Sequence, residues 1–157
     1  MKINLAALVL GGGVLLSAGV VTSTAEARTL TGMGSFTPFP NYSSQHCVNE
    51  VWGAAVNVCG KTLSHMFFDT PVDGAGNHTI TAWSYSHNGG YGSFTCRAES
   101  IQGPGGNWGF WGAWDTFNPG GQEARNFSVF VGNGNSRRLV CINVPHGRGL
   151  ASLVYNP

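Results

Sequence analysis

The chain is 157 residues long, carries a net charge of only +1, and contains 24 glycines, with charged residues at 10% and aromatics at 11%. Disordered tails need more charge and fewer aromatics, and electrostatic nucleic-acid binders need a strongly basic surface, so both classes are excluded. The length suits one domain, and glycine without a three-residue period excludes collagen.

In chain order, Lys2 is the only charge before Glu26, and an apolar stretch runs from Leu5 to Val21. Ala25-Glu26-Ala27 then places small residues where a cleavage site needs them. A basic start, an apolar stretch and an A-x-A end describe a secretory signal peptide over residues 1–27, bacterial in style. The stretch is long enough to span a bilayer. Gly11, Gly12 and Gly13 interrupt it, however, and a Ser/Thr patch ends it. The expectation is a mature chain from Arg28 with no stable membrane span, secreted or held in the periplasm or at the cell surface.

Residues 28–46 read as an irregular arm, with Pro38 and Pro40 bracketing Phe39. Four cysteines follow, Cys47, Cys59, Cys96 and Cys141. An even set in an exported chain reads as two disulfides with three possible connectivities. Zinc would want a close C-x-x-C pair, and there is none, so no metal is expected. Val48, Val51, Trp52, Ala55 and Val56 fall at helical spacing. A helix there would hold the Cys47 and Cys59 Cα atoms about 18 Å apart, whereas a disulfide needs less than about 7 Å. The helix and a local bridge therefore exclude each other. Gly53 and the β-branched valines favour a hairpin, and the preferred pairs are Cys47–Cys59 and Cys96–Cys141.

Short strands then alternate with turns. Leu63 to Asp69, His78 to Ser86, and Gly92 to Ser100 are candidate strands. The last is the clearest: Phe94, Cys96 and Ala98 share one face, and Thr95, Arg97 and Glu99 the other. Trp108 to Phe117 reads as extended, Asn126 to Val131 alternates, Leu139 to Val144 is apolar on both faces, and Leu150 to Tyr155 closes the chain. Glycine-rich turns such as Asp73–Asn77 and Gly132–Asn135 separate them. The expected fold is all-β, a single antiparallel β-sandwich over 47–157, immunoglobulin-like or jelly-roll-like. It would have about seven to eight short strands and two disulfide staples.

The cysteine placement, with Phe94-Thr95-Cys96-Arg97 on an alternating strand and Cys141-Ile142-Asn143-Val144-Pro145 near the end, resembles a group of small, exported, uncharacterised bacterial β-sandwich proteins with four cysteines. The resemblance implies the fold and export and carries no activity. The tight Cys47–Cys59 spacing and the dense tryptophan segment depart from it.

That segment, Asn107-Trp108-Gly109-Phe110-Trp111-Gly112-Ala113-Trp114-Asp115, is the concentrated anomaly. As a continuous strand it would put Trp108, Phe110 and Trp114 on one face and Trp111 on the other. Small residues beside large rings leave flat apolar surface accessible, which suits the C–H faces of sugars. Asn107, Asp115 and Asn118 are at hand for hydroxyls. The competing expectation is that these rings simply fill the core. The five histidines read as turn or surface residues. No G-x-S-x-G elbow is present, and no pair among the six carboxylates beyond residue 27 stands out for glycoside hydrolysis, so no catalytic residue or cofactor is assigned. No carboxylate side chain follows Glu123, but four arginines do; either they form an anion-binding face or neighbouring strands cancel them, and cancellation is expected. The leading reading is a non-catalytic secreted sandwich with a surface, matrix or envelope role. The second is a carbohydrate-binding module using Trp108, Phe110, Trp111, Trp114 and Asp115. A small hydrolase comes last. The partner expected is a glycan or another cell-surface component, and not nucleic acid.

Overall fold

The computed structural model describes residues 26–38, 46–102 and 107–156, with the side chains of Asn107 and Trp108 excepted. The predicted signal peptide lies almost wholly outside these residues. What they form is an antiparallel sandwich of two sheets.

The strands are β1 (Arg28–Thr31), β2 (Val48–Val51), β3 (Ala54–Asn57), β4 (Leu63–Thr70), β5 (Gly76–Ser86), β6 (Phe94–Gln102), β7 (Asn107–Trp111), β8 (Asp115–Phe117), β9 (Ala124–Val131), β10 (Asn135–Val144) and β11 (Arg148–Tyr155). One sheet has the order β2-β3-β11-β5-β9, with β1 also on β11. The other has the order β4-β10-β6-β7, with β8 also on β6. The sandwich and the two disulfides agree with the sequence reading. Eleven described strands replace the seven or eight expected, because the aromatic segment splits in two and because residues 28–57 contribute three.

The start of the expected irregular arm is ordered. Arg28–Thr31 pairs antiparallel with β11, Arg28 opposite Tyr155. A one-turn helix, α1 (Gly32–Ser35), follows, with the Thr31 hydroxyl accepting from Gly34 N–H at 3.0 Å. No apolar alternation marks β1, since its residues sit at the sheet margin; pairing with β11 is what orders it. Residues 39–45 of the arm lie outside the described residues.

The segment between the first two cysteines is a hairpin. β2 and β3 pair from Val48↔Asn57 to Val51↔Ala54, and Trp52 and Gly53 make the turn at φ of 53° and 80°. The hairpin brings Cys47 and Cys59 to a Cα separation of 5.0 Å, and they are bonded. Cys96 and Cys141 face each other directly in the β6–β10 register and are bonded too. The long bridge therefore ties neighbouring strands of one sheet rather than the two sheets to each other.

Alternation explains the core. Met66 and Phe68 of β4, Phe94, Cys96 and Ala98 of β6, and Leu139 and Cys141 of β10 point inward from one sheet. Ile80 and Ala82 of β5 and Phe127, Val129 and Val131 of β9 point inward from the other. Leu150 and Leu153 are both fully buried although three apart, because a bulge in β11 shifts the register between Leu150 and Ser152. Burial of this many apolar side chains is the main stabilising term.

Candidate ligand cleft on the outer face of the β4–β10–β6–β7 sheet

The same alternation that sends Cys96 and Ala98 inward sends their neighbours outward. The registers align those outward residues in rows across the sheet. Asp69 of β4, Arg138 of β10, Glu99 of β6 and Trp111 of β7 form one row; Phe67, Val140 and Arg97 form the next; His65, Ile142, Thr95 and Thr116 form the third. His65, Phe67, Arg97, Glu99, Trp114, Val140 and Ile142 line a cleft of about 220 Å³. Val140 and Ile142 explain why β10 reads as apolar on both faces: one face is core, and the other is the cleft floor.

Trp111 and Trp114 stand at the rim, 60% and 42% exposed. The Arg97 guanidinium carbon lies 4.4 Å from the centroid of the Trp114 ring and 5.5 Å from that of Trp111, within cation–π range. Arg97 Nε donates to Glu99 Oε1 at 2.7 Å. Glu99 is 1% exposed. Its second carboxylate oxygen, Oε2, is buried without a hydrogen-bond partner among the described residues. On the far side, Arg138 makes a two-pronged contact with Asp69, Nε to Oδ1 at 2.6 Å and Nη2 to Oδ2 at 3.1 Å, and its guanidinium lies over Phe67. Thr37 donates to the same carboxylate at 2.8 Å. The His65 ring stacks on Phe67. Burial holds its pKa below the usual imidazole value, against a smaller upward pull from Glu99.

No protein-family model matches the chain, and no curated protein matches it either. Solved structures do share its fold. The CBM36-1 domain of a multidomain xylanase from the hindgut metagenome of Trinervitermes trinervoides is 12% identical, with a TM-score of 0.50, over 84% of this chain and 98% of that one. A family 35 carbohydrate binding module from Clostridium thermocellum is 10% identical, also with a TM-score of 0.50, over 83% and 98%. The sandwich is one that carbohydrate-binding modules share. At these identities the likeness is one of fold, so the site stands on its own residues.

The structure divides the aromatic segment differently from a continuous strand. β7 ends at Trp111, and the chain breaks at Gly112 before β8 begins at Asp115. Gly112 presses against β9 so closely that a Cβ there would lie 2.2 Å from the Ser128 carbonyl oxygen. Its N–H donates to the Ala98 carbonyl at 2.8 Å. The break resets the alternation, so Trp111 and Trp114 meet beside Arg97, whereas Phe110 packs edge-on against Phe130 at 5.3 Å between centroids. Asp115 is not part of the cleft: its Oδ1 accepts the Thr116 N–H at 2.8 Å, and its Oδ2 lies 3.9 Å from Arg125. Asn118 is committed to Glu123 through both its backbone N–H and its Nδ2. The side chains of Asn107 and Trp108 lie outside the described residues.

Of the residues lining the cleft, only Trp114 is a candidate from the sequence; His65, Phe67, Arg97, Glu99, Val140 and Ile142 are not. The signal for the first four was present as the outward half of two alternating strands. The charge skew toward the end of the chain resolves half by cancellation and half by burial. Arg125 lies 3.3 Å from Glu123, and Arg138 is paired with Asp69. Arg137 and Arg148 are buried on neutral acceptors. Among the described residues no group of three His, Cys, Asp or Glu side chains is placed to hold a metal, and no helix is long and apolar enough to cross a membrane.

Proposed function

We propose that the chain is an exported, non-catalytic carbohydrate-binding module whose sugar platform is formed by Trp111 and Trp114 on the outer face of the β4–β10–β6–β7 sheet. The carrying observation is the pair of partly exposed indoles flanking Arg97 above a buried carboxylate. Flat rings offer apolar surface to the C–H faces of a pyranose, and a few fixed polar groups set its orientation. The shared fold favours this reading over a purely structural surface role. Phe110 and Asp115 drop out of the platform, being engaged elsewhere.

Two features support export with cleavage after Ala27. β1 starts at Arg28, so removing residues 1–27 leaves every described strand whole. Both disulfides suit an oxidising compartment.

Titration of intrinsic fluorescence with neutral oligosaccharides tests the platform. At least one ligand quenches or shifts the emission, and Trp111→Ala and Trp114→Ala each weaken binding by roughly tenfold or more while both disulfides and the melting temperature are retained. A folded, oxidised chain that binds nothing on a glycan array would rule the reading out.

A further inference from the structure

The cleft contains an arrangement that speaks to which sugars it takes. Glu99 Oε2 is a buried acceptor with no partner among the described residues, in a side chain only 2% exposed. Such a group costs stability unless a donor reaches it. The nearest charge, Arg97, is fixed on three sides: its Nε bonds Glu99 Oε1, and its guanidinium lies by the Trp114 and Trp111 rings. Its side chain is 23% exposed, and among the described residues its two Nη groups have no hydrogen-bond partner. A fixed donor fork therefore sits next to an acceptor, beside an aromatic face.

The charges in the cleft and beside it also cancel in place. Arg97 neutralises Glu99, and Arg138 neutralises Asp69. A cationic ligand reaching Glu99 would meet Arg97 at contact distance. An anionic ligand reaching Arg97 would meet the buried Glu99 oxygen. Each would place like charges together in a poorly solvated site, and that is how a site rejects a competitor. A hydroxyl meets neither penalty. It can donate to Glu99 Oε2, and the adjacent ring oxygen or hydroxyl can accept from Arg97 Nη.

We propose that Glu99 and Arg97 select uncharged polyhydroxylated chains: Glu99 Oε2 accepts a ligand O–H, and Arg97 donates to a neighbouring ligand oxygen, with the sugar lying over Trp114. The selection rests on the glycan-binding reading and specifies the ligand class within it. No covalent step is involved.

The test uses the full oxidised chain and isothermal titration calorimetry at neutral pH, at low and moderate salt. The probes are β-1,4-linked hexamers of glucose, mannose and xylose, with the 6-carboxy and 6-amino-6-deoxy counterparts of the first two. A neutral hexamer is expected to bind at least about tenfold tighter than its carboxylate and ammonium counterparts, with an affinity that salt barely changes. Glu99→Gln keeps the shape, retains the oxygen that faces Arg97, and puts an NH2 donor in place of Oε2; it is expected to weaken the neutral hexamer roughly tenfold and narrow the gap to the carboxylate form. Equal or tighter binding of a charged counterpart overturns the proposal. So does a folded Glu99→Gln chain with unchanged affinities and an unchanged preference, while Trp114→Ala abolishes binding; that result leaves the platform standing and removes only the selector. If Glu99→Gln unfolds, the wild-type ligand series decides by itself. If the folded wild-type chain binds no glycan, the platform fails and the selector with it.

Discussion

Arg137 and Arg148 are fully buried cations, and among the described residues neither is paired with a carboxylate side chain. Arg137 Nε donates to Thr70 Oγ1 at 2.8 Å, Nη1 to the Asn156 carbonyl at 3.1 Å, and Nη2 to the Pro71 carbonyl at 3.0 Å, with the guanidinium by the Tyr155 ring. Burial brings its pKa down to about 10, which leaves it charged at neutral pH. Arg148 does the same for the turn after β8, donating to the Asn118 carbonyl at 2.9 Å. These side chains satisfy carbonyls that no strand pairs with, a task suited to the planar five-donor fork. Arg137→Ala would leave three acceptors unmet. It is expected to cost about 2–4 kcal/mol, read as a lower urea midpoint, with Arg137→Lys recovering only part. A variant as stable as the wild type would show that water replaces the guanidinium at no cost. In sequence, Arg137-Arg138 reads as a solvated hairpin end. Two adjacent arginines on a strand point to opposite faces, so one joins the core and the other pairs with Asp69.

The aromatic segment shows how one small residue places a site. Continuous β structure would separate Trp111 from Trp114, and the close approach of Gly112 to Ser128 is what breaks it. Gly112→Ala is expected to push the segment off β9, costing about 1–3 kcal/mol by overpacking and weakening sugar binding along with stability. Gly74→Ala is the control, since nothing lies within 4 Å of a Cβ there. Calorimetry and melting curves of the two variants make the comparison, and a Gly112→Ala chain that binds normally would disconnect the break from the platform. The elements with strong period-two patterns, β6 and β9, were legible from residues alone. For the Cys47–Cys59 segment, distance set helix against local bridge, and Gly53 with the β-branched valines tipped the balance to a hairpin. The break at Gly112 was not, because its cause lies on β9, sixteen residues further along the chain. Nor was β1, whose strand character comes from its pairing with β11.

For the molecule as a whole, the two bridges differ in what they restrain. Cys47–Cys59 closes 12 residues of a hairpin already paired along its length, whereas Cys96–Cys141 spans 45 residues and joins β6 to β10 beneath the cleft. In the chain-entropy account a longer loop loses more disorder in the unfolded chain. Replacing Cys96 and Cys141 together with Ala is expected to cost about 2–5 kcal/mol, more than the same change at Cys47 and Cys59. Urea unfolding of the two double variants checks the order, and the reverse order would place the greater restraint in the hairpin. Alone, the sequence determined the all-β class, the turn positions, a preference among three cysteine pairings and the presence of an unusual aromatic segment. These depend on composition, on alternation and on distances along a short stretch of chain. Tertiary structure decided which outward faces form one surface, which arginines are buried, and that Trp114, Arg97 and Glu99 share a cleft with Trp111 beside it. Those outcomes depend on register between strands far apart in sequence, and no local pattern encodes it.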